Sequence, residues 1–450
     1  MAPNEPIFAS NTTGDPEATS SSTAVSVQTP DFRVQDEDKE KQPSPADPIP
    51  NGGFKAWLQV FGAFLLFFNS WGIINTFGAF QAYYEFTLLK STSSSSISWI
   101  GTFQAFLLIV FGLVGGPAFD KGFYRELIAG GTFFLVFGIM MTSLCTEYYQ
   151  FFLAQGLCVG LGAGAVFLPS VALVATYFST KRALATGITA AGGSVGSVIY
   201  TIVFRQLQPR LGFPWATRVI GFIALGTLLV SLAIMRSRSP RDAAKKARKL
   251  VDLSAFQSVP FNICVTGMFI AFIGLYIPFF DIITYAQTHA NVNENMSFYL
   301  LSIMNAASAL GRIIPGLLAD RFGAPIILAT LTIFSAVLVF AWIAIDSLAG
   351  LVVFSILYGF MSGGVVSLPV SIIASFTNHL GQVGTWMGMA FCFNGLGILI
   401  GNPIAGTLIN TEKDDYVRAL VFAGTTIVGG GVAWWVLWAY ITFVKPKPKA

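Results

Sequence analysis

The sequence predicts an all-α membrane protein: twelve transmembrane helices in two six-helix pseudo-repeats. Three observations carry that prediction: a composition too apolar for water, apolar runs of membrane-spanning length, and a repeat at a fixed offset. Of 450 residues, 54% are hydrophobic and 11% charged, with a mean hydropathy of +0.68. Soluble domains carry about 25% charged residues, so this chain lacks the means to cover a water-facing surface. The 42 Phe and 45 Gly point the same way, glycine being commoner in membrane helices than in soluble ones.

A span needs about 20 apolar residues at 1.5 Å rise per residue. That ruler places spans at roughly 56–83, 97–117, 125–146, 150–177, 183–205, 214–235, 259–286, 296–318, 325–346, 349–376, 381–409 and 417–444. Before them, residues 1–50 hold nine Asp or Glu against three Lys or Arg and no apolar run. They bury too little to offset the entropy of ordering and are expected to form a disordered acidic tail. They contain no basic segment followed by an apolar stretch, so the first span is expected to serve as an uncleaved signal. Residues 236–258 form a polar linker with Arg236, Arg238, Arg241, Lys245, Lys246, Arg248 and Lys249. The expected organisation is therefore a tail (1–50), a first half (51–235), the basic linker (236–258), a second half (259–445) and a short tail (446–450).

Orientation follows from counting Lys and Arg on alternate loops. Lys121, Arg125, Lys181, Arg182, the linker residues, Arg321, Lys445, Lys447 and Lys449 share one side; Lys90, Arg210 and Lys413 share the other. The basic side is expected to be cytosolic, with both termini inside. The linker reads as a surface segment beside anionic lipid, and nucleic acid is not expected as a partner.

The repeat is the third observation. Gly116-Pro117-Ala118-Phe119-Asp120-Lys121 returns 200 residues later as Gly316-Leu317-Leu318-Ala319-Asp320-Arg321. Gly164-Ala165-Val166-Phe167-Leu168-Pro169 returns at the same offset as Gly364-Val365-Val366-Ser367-Leu368-Pro369. Duplicated units are an architecture of transporters that work by alternating access. In the loop motif, Gly116 and Gly316 suit close helix approach. Asp120 and Asp320, with Lys121 and Arg321, suit a contact held in one state and released in the other. All six are candidate gating residues.

Enzymatic classes fare poorly. Cys145, Cys158, Cys264 and Cys392 stand singly in apolar segments and read as small buried residues. His289 and His379 lie in loops with no HExxH around them. Neither a metal nor a cofactor is expected, beyond the use of a proton gradient. The Gly192-Gly193-Ser194-Val195-Gly196 run lies inside an apolar helix and reads as close helix packing.

Charges inside spans are costly and normally face a cavity or a partner. Arg312 is the residue of first interest, because its planar fork suits a carboxylate. Asn305, Ser308 and Arg312 share one helical stripe. The alternative, that Arg312 snorkels to the interface or braces the Asp320 loop, stays open. Asp281, three residues after Pro278, is a candidate proton carrier, its alternative being an acid facing water at the interface. Its depth separates it from Arg312. Gln104 and Gln155 read as bridges between helices.

The loop Gly316-x-x-x-Asp320-Arg321-Phe322-Gly323 resembles the signature between the second and third helices of each half of major facilitator superfamily transporters. Gly52-Gly53-Phe54-Lys55-Ala56-Trp57 and Tyr177–Gly187 resemble the monocarboxylate porter branch. Phe77–Tyr84, Ile97–Gly101 and Asn305–Arg312 are similar to its fungal members. The resemblance covers residues 51–445 and implies a secondary transporter with one central site reached alternately from each side. It also implies that spans one, five, seven, eight and eleven line that site, which adds Asn75, Tyr200 and Asn394 to Asn305, Ser308 and Arg312. Two departures matter: the family's lysine in span one is here Asn75, and its aspartate one turn before the span-eight arginine is Ser308. Both place lactate-type proton symport in doubt.

The expectation is secondary transport of a small organic solute, anionic or amphipathic, by a monomer embedded in the lipid bilayer of the plasma membrane; a vacuolar or other internal membrane is the alternative. Efflux of a fungal secondary metabolite is favoured by the aromatic, charge-poor spans. Proton-coupled uptake of a monocarboxylate is the competing version, and a non-transporting membrane sensor is the reading from another class.

Overall fold

In the computed structural model, the described residues are 52–120, 122–178, 182–236, 251–376, 380–409 and 415–444. Ile49–Ala450 forms one unit. Among the described residues, eleven helical stretches are long and apolar enough to cross a membrane. One of them, Leu184–Ile234, runs 51 residues, roughly 77 Å at 1.5 Å per residue, more than twice the ~30 Å hydrocarbon core. It contains two spans that reverse at Gly212, whose φ of 76° is a left-handed conformation open to glycine. Asn69 proves the reversal. Its Oδ1 accepts from the Tyr200 hydroxyl at 2.6 Å and its Nδ2 donates to Thr227 Oγ1 at 2.9 Å, although Tyr200 and Thr227 would stand roughly 40 Å apart on a straight helix.

The twelve spans follow the expected order with shifted ends. Span one is Phe54–Asn75 and, past a break at Thr76, Phe77–Tyr83, extended by a wide π-helical turn over Tyr84–Leu88. Span two is Ser94–Asp120 and span three Tyr124–Thr142. Span four joins Tyr148–Phe151, a π-helical Phe152–Val159 and Gly160–Tyr177. Spans five and six divide Arg182–Ile234 at Gly212. Span seven is Val259–Leu275 and Ile277–Thr288, broken at Tyr276. Spans eight and nine are Glu294–Phe322 and Ala324–Trp342; span ten is Leu348–Ser367 with Pro369–Phe376. Spans eleven and twelve are Leu380–Leu408 and Val417–Ala439. We call the end holding Phe54 and Val444 the near end and the opposite one the far end.

Two corrections affect function. The apolar ruler stopped span one at residue 83, but the π-helical turn carries the helix to Leu88 and so takes in Glu85. It ended span nine at Asp346, which lies beyond the helix end at Trp342. The breaks at Thr76 and Tyr276 keep the 200-residue offset. Pro278 stands at the second position after the span-seven break, where a missing N–H costs nothing. The carbonyl of Leu275 at that break accepts the Tyr358 hydroxyl of span ten at 2.7 Å.

Glycines let span one lie against its neighbours. A Cβ at Gly192 would come within 2.3 Å of the Phe64 carbonyl, and one at Gly196 within 2.2 Å of the Phe68 carbonyl. The glycine run is therefore a packing face, as expected. Of the four cysteines, Cys264 is buried and the others half-buried, so burial is less complete than anticipated. Gly196→Val should lower stability by about 1–3 kcal/mol or more through overpacking. Gly130→Val, where an added Cβ meets nothing within 4 Å, should leave it nearly unchanged. Thermal unfolding of the two purified variants checks the contrast.

Candidate functional site

The seam between spans one to six and spans seven to twelve carries Arg312 and Asp281. At mid-depth it is aromatic. Trp71 of span one stacks on Tyr276 of span seven at 6.5 Å and meets Phe167 of span four edge-on at 6.0 Å. Phe279 lies 5.8 Å from Tyr276 and 6.0 Å from Tyr358.

Arg312 enters this layer from span eight. Its Nη1 donates across the seam to the Ala190 carbonyl of span five at 3.0 Å, and its guanidinium lies within electrostatic reach of Tyr276. The side chain is 6% exposed, and its Nε has no partner. It does not snorkel. Among the described residues no carboxylate pairs with it. A buried cation with one orphaned donor retains capacity for an anionic acceptor.

The other expected site residues separate into two groups. Asn75, Asn305 and Asn394 are buried, and each leaves its side-chain carbonyl oxygen without a partner. All three lie about ten to fifteen residues from the far end of their spans, a common depth of roughly 15–22 Å. Asn75 is one turn beyond Trp71 and three residues before Gly78, which meets the Phe279 carbonyl, so it faces the seam with them. Tyr200 and Ser308 are placed elsewhere. Tyr200 is bonded to Asn69 inside the first half and borders a void of about 10 Å³ with Thr76, Gln155 and Thr217, room for about one water. Ser308 packs against Gly363 of span ten.

The bridging role expected for Gln155 is met, since it accepts from Tyr84 of span one. The same role fails for Gln104: both its amide atoms are buried without a partner. It joins the asparagines as an orphaned polar group that the sequence reading did not assign to the site. Of the gating residues, Lys121 and the side chains of Asp120 and Asp320 lie outside the described residues, and Gly116 is placed only as part of its helix. A Cβ at Gly316 meets nothing within 4 Å, so the close approach expected there is not made in this conformation. Arg321 is exposed, 5.7 Å from the ring of Phe322.

The far end is closed by contacts among residues that, Asp281 apart, sequence reasoning missed. Arg205 of span five reaches span eight, with Nη1 2.6 Å from Glu294 Oε1, Nε donating to Asn295 Oδ1 at 2.9 Å and the guanidinium 5.2 Å from the Phe298 ring centre. Gln206 donates to the Tyr299 hydroxyl at 2.8 Å. Ser95 of span two donates to the Pro403 carbonyl of span eleven at 2.7 Å. Gln81 of span one donates to Asp281 of span seven at 2.9 Å, and Phe77 meets Phe280 at 5.0 Å. Asp281 thus lies at a contact between halves, separate from Arg312. Gln81 and Asp281 are 200 residues apart, so the two equivalent positions of the repeat meet at the seam. A groove of about 410 Å³, lined by Tyr83, Phe86, Gln287, Glu294 and Phe298 among others, lies at this end.

The model of the Major Facilitator Superfamily matches residues 60–393 and 299–450. The chain belongs to that superfamily. It is 42% identical over 382 residues to the MFS-type transporter dbaD of Emericella nidulans, covering 85% of each protein. It is 39% identical over 388 residues to the aspyridones efflux protein apdF of the same organism, covering 86% of this chain and 78% of that one. The MFS transporter asaE of Aspergillus flavus is 38% identical over 397 residues, with coverage of 87% and 89%. Among solved structures, a mutant of the nucleoside transporter NupG superposes with a TM-score of 0.65 at 17% identity, over 85% of this chain and 100% of that one, a likeness of fold. The protein is a multi-pass membrane transporter and not an enzyme.

If Arg205 holds the far end shut, Arg205→Gln should speed the reaction of an impermeant maleimide with Ser98→Cys, a seam position now buried, in a cysteine-free background. About tenfold is expected, corresponding to ~1.4 kcal/mol of lost closure; the figure is modest because Glu294 is 59% exposed and the pair is screened.

Proposed function

We propose that the protein is a secondary active exporter, moving a small anionic or amphipathic organic solute, a fungal secondary metabolite, by alternating access. The observation that carries this reading is Arg312: a cation in the aromatic middle of the seam, without an acidic partner among the described residues and with one donor unused. A planar conjugated acid would stack between Trp71 and Tyr276 while its carboxylate or enolate accepts from the guanidinium. Asn75, Asn305, Asn394 and Gln104 supply polar groups for the rest of such a molecule, whereas Tyr200 and Ser308 serve packing. Efflux is supported by the name of a relative, an aspyridones efflux protein.

Spans 51–235 and 259–445 act as two rocking halves joined by the basic linker, with Gly116–Lys121 and Gly316–Arg321 as gating loops. The protein works as a monomer in the plasma membrane with the near end cytosolic, as the Lys and Arg distribution requires, and Asp281 carries the coupling proton. The fungal monocarboxylate porter branch is its place within the superfamily. Arg312 also suits uptake of a short monocarboxylate. The aromatic breadth around it and the polar replacements at Asn75 and Ser308 favour the larger exported solute.

Metabolite profiling of medium against cells after deletion identifies the solute. On that solute, Arg312→Ala should cut export at least tenfold while surface expression holds, and Arg312→Lys should restore part of it, since a point charge lacks the fork. Unchanged export in Arg312→Ala removes the residue from the site. Intracellular loss of a short acid on deletion, with no change in the medium, supports uptake instead.

A further inference from the structure

We propose that Glu85 and Asp281 form a proton-operated latch on the far end, with one proton bound between them as the halves close and released as they part. The inference rests on the transport reading only in requiring that the halves separate; it needs no particular solute.

Glu85 belongs to span one and Asp281 to span seven, so the seam runs between them. A single amide joins them. Gln81 Nε2 donates to Asp281 Oδ1 at 2.9 Å and to Glu85 Oε1 at 3.2 Å. Glu85 Oε1 also accepts from Ser94 Oγ at 2.6 Å, and its Oε2 accepts across the seam from Thr284 Oγ1 at 3.0 Å. Ser98 of span two donates to Gln81 Oε1 at 3.4 Å, fixing which way the amide points. Asp281 receives one hydrogen bond among the described residues, and it comes from Gln81. Its side chain is 4% exposed.

Among the described residues no cation pairs with either carboxyl group. The other charged or titratable groups described on the elements packed here are engaged elsewhere or face water. Tyr84 is bonded to Gln155, and Tyr285 to the carbonyls of Trp342 and Ile345. Arg205 pairs with Glu294. Tyr83 stacks on Phe213, His289 packs on Tyr285 and Tyr416, and Lys90 is exposed in the loop after span one. Span two contributes Ser94 and Ser98, and span eleven the Pro403 carbonyl.

Asp281 is buried and Glu85 half-buried, so two like charges joined there through one neutral amide repel more strongly than they do apart and beside water. Closing the far end brings them together and therefore binds a proton; opening releases it. By linkage, the state that holds more protons gains as pH falls. The closed far end is favoured at low pH and loses its advantage as pH rises. The device also fits the repeat. Gln81 and Asp281 are equivalent positions of the two halves, so the latch sits where those halves meet, and separating them must break it.

The test uses the full-length protein in lipid nanodiscs, free of its four cysteines, with spin labels at Leu211→Cys and Met296→Cys, exposed far-end positions on opposite halves. Electron–electron distance distributions between pH 5 and 9 report the closed fraction. The expected result is a closed fraction that falls with rising pH along a one-proton curve. Glu85→Gln and Asp281→Asn should each stay closed across the range, while Glu85→Asp should keep a pH dependence. A pH-independent wild type, variants with the wild-type profile, or closure that follows sodium concentration instead of pH overturns the latch. Lost export with pH-dependent closure intact would count against the transport reading alone; intact export with pH-independent closure would count against the latch alone.

Discussion

The constraint on which the structure depends is that a polar group within lipid must find its partner inside the protein. This chain meets it in two ways. Within the first half, Asn69, Tyr200 and Thr227 satisfy one another and fix spans one, five and six together. Across the seam the contacts are of another kind: an arginine on a backbone carbonyl, an amide between two carboxyl groups, an ion pair on an aromatic ring, and single hydrogen bonds such as Ser95 to Pro403 and Gln206 to Tyr299. The first kind makes a half rigid, and the second makes a contact that can open. A rocking transporter needs both.

Asn75, Gln104, Asn305, Asn394 and Arg312 each leave a buried polar atom unpaired, at a cost of about 1–3 kcal/mol apiece. In a packed helical protein such a cost is normally removed by water or a ligand. Arg312 lies beside Trp71, both of them against Gly193, and is the residue on which the proposed binding layer rests. The far end above it is shut by longer side chains that reach from one half to the other.

Much of this was legible in the residues. Apolar run lengths placed the spans, and the glycine run predicted close helix packing, whose partner is span one. Of the polar residues picked out inside spans, Asn75, Asn305, Asn394 and Arg312 keep an unpaired buried polar atom, whereas Tyr200 bonds to Asn69 and Ser308 packs on Gly363; a polar residue inside a span reads alike whether it faces a cavity or a neighbouring helix. Glu85 and Arg205 escaped for a different reason. Hydropathy ends a helix where charges begin, yet the π-helical turn over Tyr84–Leu88 and the long fifth span carry both charges into the bundle. The 200-residue offset held an unused signal. Applied to polar residues, it makes Gln81 and Asp281 equivalent, and the symmetry of the halves brings them together.

The central claim is that the far end must open and close for each solute moved. Cross-linking Gln206→Cys to Tyr299→Cys with a short, reducible bifunctional thiol reagent, in the cysteine-free protein, tests it most directly. The account predicts that export stops when the bridge forms and returns when it is reduced. Export continuing at the uncross-linked rate with the bridge complete would contradict it.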